Sequence, residues 1–243
     1  VSLLTARHLR WMIMSFTHET PTVLLTGFEP FGDDEHNPSA TVADAAARAL
    51  LGSGVQVVSA VLPCEFATSH EVLFDLIAHH EPEVVICLGL AAGRSQVGVE
   101  QVGINLQQAR ISDNAGCQPN GTPVVVGGPD GIFATLPARR IVSAAGELPV
   151  ELSLSAGTFV CNHVFYALMH AVEIGAWGEH SPKSAGFVHV PWDTDVSTVY
   201  PGIPLAESVA GVCHVVEETL KHLSDPDAPE ADTTQGAGLG TLH

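Results

Sequence analysis

Short runs of almost wholly apolar residues, alternating with helical patterns, constrain the fold of this chain more than any other feature. Thr22 to Phe28, Val55 to Leu62, Glu83 to Leu90 and Ser184 to Val190 are rich in Val, Leu and Ile and too short for ordinary helices, so they read as strands. Glu83 to Leu90 is apolar nearly throughout and predicts a strand covered on both faces. A helix opens at Asn37-Pro38-Ser39, with Asn37 as N-cap and Pro38 at the first helical position. Further helices are predicted over Ser69 to His80, Ala138 to Glu147 and Pro204 to Leu223. Val97 to Leu106 alternates like one half-buried strand, and Pro123 to Pro129 reads as loop or short strand. Strands alternating with helices imply an α/β fold, its twisted sheet mainly parallel, covered on both faces, with one antiparallel excursion around Val97 to Leu106.

The formal net charge of −18 removes the basic surface that nucleic acid or an anionic membrane would need, so neither is expected as a partner. No apolar run reaches the roughly 18 residues of a bilayer span. Residues 1–21 read as a flexible N-terminal extension without a convincing signal-peptide cleavage site, and Met14 offers an alternative start. Residues 22–223 form the folded domain, and residues 224–243, dominated by Pro, Asp, Gly and Thr, form a disordered tail. The five cysteines (Cys64, Cys87, Cys117, Cys161 and Cys213) are scattered and contain no C-x-x-C pair, so neither a disulfide framework nor a zinc ribbon is expected.

One of the five occupies a reactive setting. Leu152 to Ala156 reads as an extended approach, Gly157-Thr158 as a turn, and Val164, Phe165, Leu168, Ala171 and Val172 recur at helical spacing from about Asn162. Cys161 therefore falls where a strand gives way to a helix, beside free backbone N–H groups and the positive helix end, a setting that favours thiolate. The ordinary alternative is a buried core cysteine.

His189 interrupts an apolar strand just before Pro191, at the carboxyl end where α/β sheets gather their catalytic groups, and can serve Cys161 as general base; a hydrogen-bonded core histidine is the ordinary alternative. Glu100 falls in phase with Val102, Ile104 and Leu106, which turns its carboxylate inward; a bulge that turns it to solvent fits the same pattern. Arg110 is notable among few basic residues, although a solvated surface arginine is its ordinary reading, and Phe28 and Phe31 put two rings on the loop after the first strand, where they can line an apolar pocket or pack in the core. Neither Gly27 to Gly32 nor Gly89 to Gly93 carries a nucleotide-binding motif.

Several segments together resemble the pyroglutamyl peptidase I family: Leu25-Thr26-Gly27-Phe28-Glu29-Pro30-Phe31-Gly32 with Asn37-Pro38-Ser39, then Gly93-Arg94, Val99-Glu100, Asn105, Ala109-Arg110-Ile111 and Asp113-Asn114. Gly157-Thr158-Phe159-Val160-Cys161-Asn162-His163 and Gly186-Phe187-Val188-His189-Val190-Pro191 complete the set, in order, across Val23 to Leu223. The resemblance implies a single three-layer α/β/α domain and a cytosolic cysteine peptidase that needs no metal or organic cofactor. It implies a triad of Glu100, Cys161 and His189, a pyroglutamyl pocket shaped by Phe28, Phe31, Ile111, Phe159 and Val160, and Arg110 near the reaction centre. Peptides with N-terminal pyroglutamate would be the substrates, and a homodimer or homotetramer is compatible with it. Two residues depart from the pattern: Leu90 stands where many members carry Gln, and Gln101 where a basic residue usually follows the catalytic Glu. Those departures leave room for a same-fold hydrolase of another cyclic amide, or for a catalytically weak ligand-binding homologue.

Overall fold

The computed structural model of the chain describes residues 20–227, centred on a six-stranded sheet. Its strands are β1 (Thr22–Phe28), β2 (Gln56–Leu62), β3 (Val84–Leu90), β4 (Val97–Glu100), β5 (Val150–Ser153) and β6 (Ser184–Val190). They lie in the order β2-β1-β3-β6-β4-β5, with every neighbouring pair parallel except β6 and β4. The described α-helices are α1 (Pro38–Ala49), α2 (Ser69–His80), α3 (Ala138–Ala144), α4 (Val160–Glu173) and α5 (Leu205–Ser224).

Side chains alternate across a strand, so each strand feeds both faces of the sheet. Val23, Leu25, Ile86, Leu88, Val97, Val99 and Val188 pack with Val42 of α1, Ile141 of α3 and Val212 and Val216 of α5. On the opposite face Leu24, Phe28, Val85, Cys87 and Phe187 pack with Leu73 and Ile77 of α2 and Val164, Phe165 and Leu168 of α4. Each such side chain contributes about 1.5–3 kcal/mol when fully buried. Exposed ion pairs such as Arg48–Asp44 and Lys183–Glu83 contribute at most about 1 kcal/mol each. Apolar burial on both faces therefore holds the layers together, and the chain is a single α/β domain.

The strands at 22–28 and 184–190 and the helix at 69–80 have the bounds their sequence patterns predict. The asparagine cap also forms as expected: Asn37 Oδ1 accepts from the Ser39 backbone N–H (3.1 Å) and hydroxyl (2.8 Å). Val97 to Leu106, by contrast, is not one strand. It breaks at Gln101, and Val102–Ile104 leaves the sheet to pair antiparallel with Gly131–Phe133. The third helix ends at Ala144 rather than at Glu147, since Gly146 takes a left-handed φ of 60° that ends helical propagation. The fourth begins at Val160, two residues before the expected start, with Phe159 as its extended N-cap. Pro123 to Pro129 is loop. The expected N-terminal extension lies outside the described residues apart from Thr20 and Pro21; the expected tail lies outside them beyond Asp227, and Ser224 still belongs to α5. No helix among the described residues is long and apolar enough to cross a membrane.

Candidate active site

The turn that delivers Cys161 is clamped on both sides. Gly157 takes a φ of 74°, a conformation that suits glycine, and reverses the chain between β5 and α4. Thr158 Oγ1 donates to the Gln108 carbonyl (2.7 Å), and the Gln108 N–H donates back to the Thr158 carbonyl (3.0 Å). Cys161 is then the second residue of α4, in the first turn, where backbone N–H groups have no intrahelical acceptor. The next side chain is fully engaged: Asn162 accepts from the Ile104 N–H (2.9 Å) and donates to the carbonyls of Ile104 (2.8 Å) and Leu106 (3.0 Å). Asn162 thus pins the segment beyond β4 to the start of α4.

His189 is the last residue but one of β6, and Glu100 ends the neighbouring β4. His189 Nδ1 lies 2.7 Å from Glu100 Oε1, and both residues are buried. With Nδ1 donating to the carboxylate, a neutral His189 leaves Nε2 as its acceptor. Glu100 does point inward, but not for the reason its periodicity offered. Val97 and Val99 pack on the α1/α5 face, so Glu100 turns to the α4 face, and Val102 onward has already left the sheet.

The same Oε1 accepts from Arg94 Nη1 (3.0 Å), and Arg94 Nη2 donates to the Ser155 carbonyl (3.1 Å). Burial alone would raise the Glu100 carboxyl, but the hydrogen bond and charge of His189, the nearby Ser153 and the Arg94 guanidinium hold it below the usual range. The second oxygen, Oε2, is buried without a hydrogen-bond partner among the described residues. Burial pushes the Cys161 thiol up, with Cys64 and the Glu100 charge adding to the effect and the local backbone hydrogen bond opposing it. The expectation that the helix start favours thiolate meets an opposing influence: burial, the larger of the two, acts toward the thiol.

Cys161 and His189 open onto a cleft of about 730 Å³ that is also bordered by Leu90, Arg94, Arg110 and Tyr200. Phe31, Phe159 and Ile111 form its apolar wall, with the two rings 5.8 Å apart and Phe66 edge-on behind Phe159 at 5.3 Å. Arg110 is exposed and makes no side-chain hydrogen bond or ion pair among the described residues. Two expected pocket residues lie elsewhere. Phe28 ends β1 facing the core, 6.3 Å from the Phe187 ring, and borders a separate cavity of about 290 Å³ beside Trp192. Val160 is fully buried under the first turn of α4. Arg94 was visible in the sequence only as part of a matching segment; with nine Lys and Arg in the chain, one of them six residues before the inward Glu100 was the available signal.

Comparison with known proteins gives a consistent picture. The pyroglutamyl peptidase family model matches residues 21–222. Pyrrolidone-carboxylate peptidase of Gloeobacter violaceus is 44% identical over 200 residues, covering 80% of this chain and 95% of the relative. Pyrrolidone-carboxylate peptidase 1 of Ralstonia nicotianae is 44% identical over 213 residues, covering 84% and 95%. Among solved structures, pyroglutamyl peptidase I of Bacillus amyloliquefaciens superposes with a TM-score of 0.76 at 36% identity, covering 83% of this chain and 98% of its own. A mutant pyrrolidone carboxyl peptidase of the hyperthermophile Pyrococcus furiosus gives 0.77 at 33%, covering 83% and 99%.

Proposed function

The chain belongs to the pyroglutamyl peptidase family, and from that premise we propose that Cys161, His189 and Glu100 are the groups with which it removes N-terminal pyroglutamate from peptides. The observation that carries this reading is the buried 2.7 Å contact between His189 Nδ1 and Glu100 Oε1, with Cys161 on the same cleft. The 5-oxoproline ring is uncharged, and the Phe31, Phe159 and Ile111 wall offers it an apolar seat without an ionic anchor.

His189 Nε2 takes the proton of Cys161 as the sulfur attacks the pyroglutamyl carbonyl carbon, and Glu100 stabilises the imidazolium that results. Unpaired N–H groups in the first turn of α4 receive the oxyanion, and Arg110 adds positive charge at the cleft; one such donor is worth about 10²–10³ in rate. The C–N bond breaks as His189 returns the proton to the leaving amine. Water, deprotonated by His189, then attacks the thioester, releasing pyroglutamate and the free thiol.

Leu90 lines the cleft, so the departure at that position bears on the pocket itself, whereas Gln101 is held by its backbone between Ser153 and Ala134. Similarity to named pyrrolidone-carboxylate peptidases favours neither a hydrolase of another cyclic amide nor a weak ligand-binding homologue. A cytoplasmic setting is supported by five free cysteines. The reading is tested by fluorophore release from a pyroglutamyl amide: the wild type is expected to be active and Cys161→Ala inactive. Equal rates in the two proteins would defeat the mechanism.

A further inference from the structure

One side chain joins the Glu100 carboxylate to the loop that leads to Cys161. Arg94 Nη1 sits on the carboxylate oxygen that also receives His189, while Nη2 sits on the carbonyl of Ser155, in the loop that leads into α4. A Cβ at position 98 would fall on Arg94 Nη1, so Gly98 leaves the space the guanidinium fills. Gln101 is neutral, and among the described residues Arg94 is the only group of fixed positive charge paired with Glu100. We infer that Arg94 is a positioning residue of the triad: it holds the Glu100 carboxylate on His189 and ties that pair to the loop that delivers the nucleophile. This rests on the triad reading above.

The role follows from charge accounting in a buried site. Glu100 is fully buried, and a carboxylate there needs a cation beside it. Arg94 is a fixed cation whatever the protonation state of His189, so Glu100 stays ionised and aligned while the proton moves between Cys161 and the imidazole. Substrate binding is the competing role, because Arg94 borders the cleft. Two of its guanidinium nitrogens are already engaged with protein, whereas Arg110 on the same cleft makes no side-chain hydrogen bond or ion pair among the described residues.

A double-mutant cycle separates the two. The rate of Cys161 alkylation by iodoacetamide, mapped by peptide mass spectrometry, is measured in the wild type, Arg94→Met, Arg94→Lys, Glu100→Gln and the Arg94→Met/Glu100→Gln pair. The expected loss in Arg94→Met is about 10- to 100-fold, the size of one charge-assisted hydrogen bond, with Arg94→Lys recovering part of it. In the Glu100→Gln background the same change is expected to alter the rate by less than about 2-fold, because Arg94 acts through Glu100. Hydrolysis of the pyroglutamyl amide should repeat the pattern in kcat with little change in KM. An undiminished loss in the Glu100→Gln background, a loss carried by KM, or no loss at all would overturn the inference. Should Arg94→Met fail to fold, Arg94→Lys decides: a loss as large as that of Glu100→Gln counts against it. Alkylation needs no pyroglutamyl substrate, so a failure of the substrate assignment is seen separately.

Discussion

His163, two residues beyond Cys161, lies 4% exposed with Nε2 3.0 Å from His70 Nδ1 and its own Nδ1 buried without a partner among the described residues. Phe66 packs edge-on against His163 at 5.7 Å and against Phe159 at 5.3 Å, so the histidine pair underlies the wall of the cleft. Burial, with the His70 charge adding, pushes His163 down to about 4. The fold therefore binds fewer protons here than the unfolded chain between about pH 4 and pH 6.5. The stability this neutral imidazole contributes is complete above the unfolded value and declines as pH falls toward the folded one. From pH 7 to pH 5 it amounts to about 2 kcal/mol lost. Urea unfolding at the two pH values should show that loss in the wild type and a clearly smaller one in His163→Gln. An equal loss in both proteins would assign the acid sensitivity elsewhere.

At the scale of elements, the decisive contact is between β3 and the start of α4. Gly89 stands beside His189 in the parallel register of β3 and β6. A Cβ there would come within 2.7 Å of Cys161 Sγ and 2.8 Å of the Phe187 ring, which is fully buried and packed against Phe28 and Phe165. The ring cannot yield, so the sulfur must. Gly89→Ala is expected to cost about 1–3 kcal/mol of stability through overpacking. It should also lower kcat by about 100-fold, the order of loss that a sulfur displaced by about an ångström produces. Chemical unfolding and steady-state kinetics on the same preparation check both figures. Full activity in Gly89→Ala would mean that the sulfur has more freedom than the packing allows.

Over the whole molecule, the sheet order brings together segments that are distant in the chain: Glu100 on β4, Cys161 beyond β5 and His189 on β6, with Phe31 from the loop after β1. The strands and helices were legible because their apolar periodicity is local, and of the proposed triad Cys161 and His189 stood out because each broke its local pattern, a cysteine at a turn and a histidine in an apolar strand; Glu100 turns inward because it alternates with Val97 and Val99, not through the phase with Val102 to Leu106. What periodicity could not supply was pairing. The break at Gln101 depends on hydrogen bonds to Ser153 and Ala134, and the place of Arg94 depends on the space left at Gly98. Nor could the helix start at Cys161 disclose that burial would raise its thiol. Phe28 and Val160 carried the right side chains for a pocket, but strand pleat and helix phase turned them to the core. The account as a whole stands on Cys161 as the atom that receives the pyroglutamyl group. The direct measurement is mass mapping of the protein after reaction with pyroglutamyl chloromethyl ketone. The label is expected on Cys161, with none in Cys161→Ala. Stoichiometric label on Cys64, Cys87, Cys117 or Cys213 instead, or inactivation that leaves Cys161 unmodified, would contradict it.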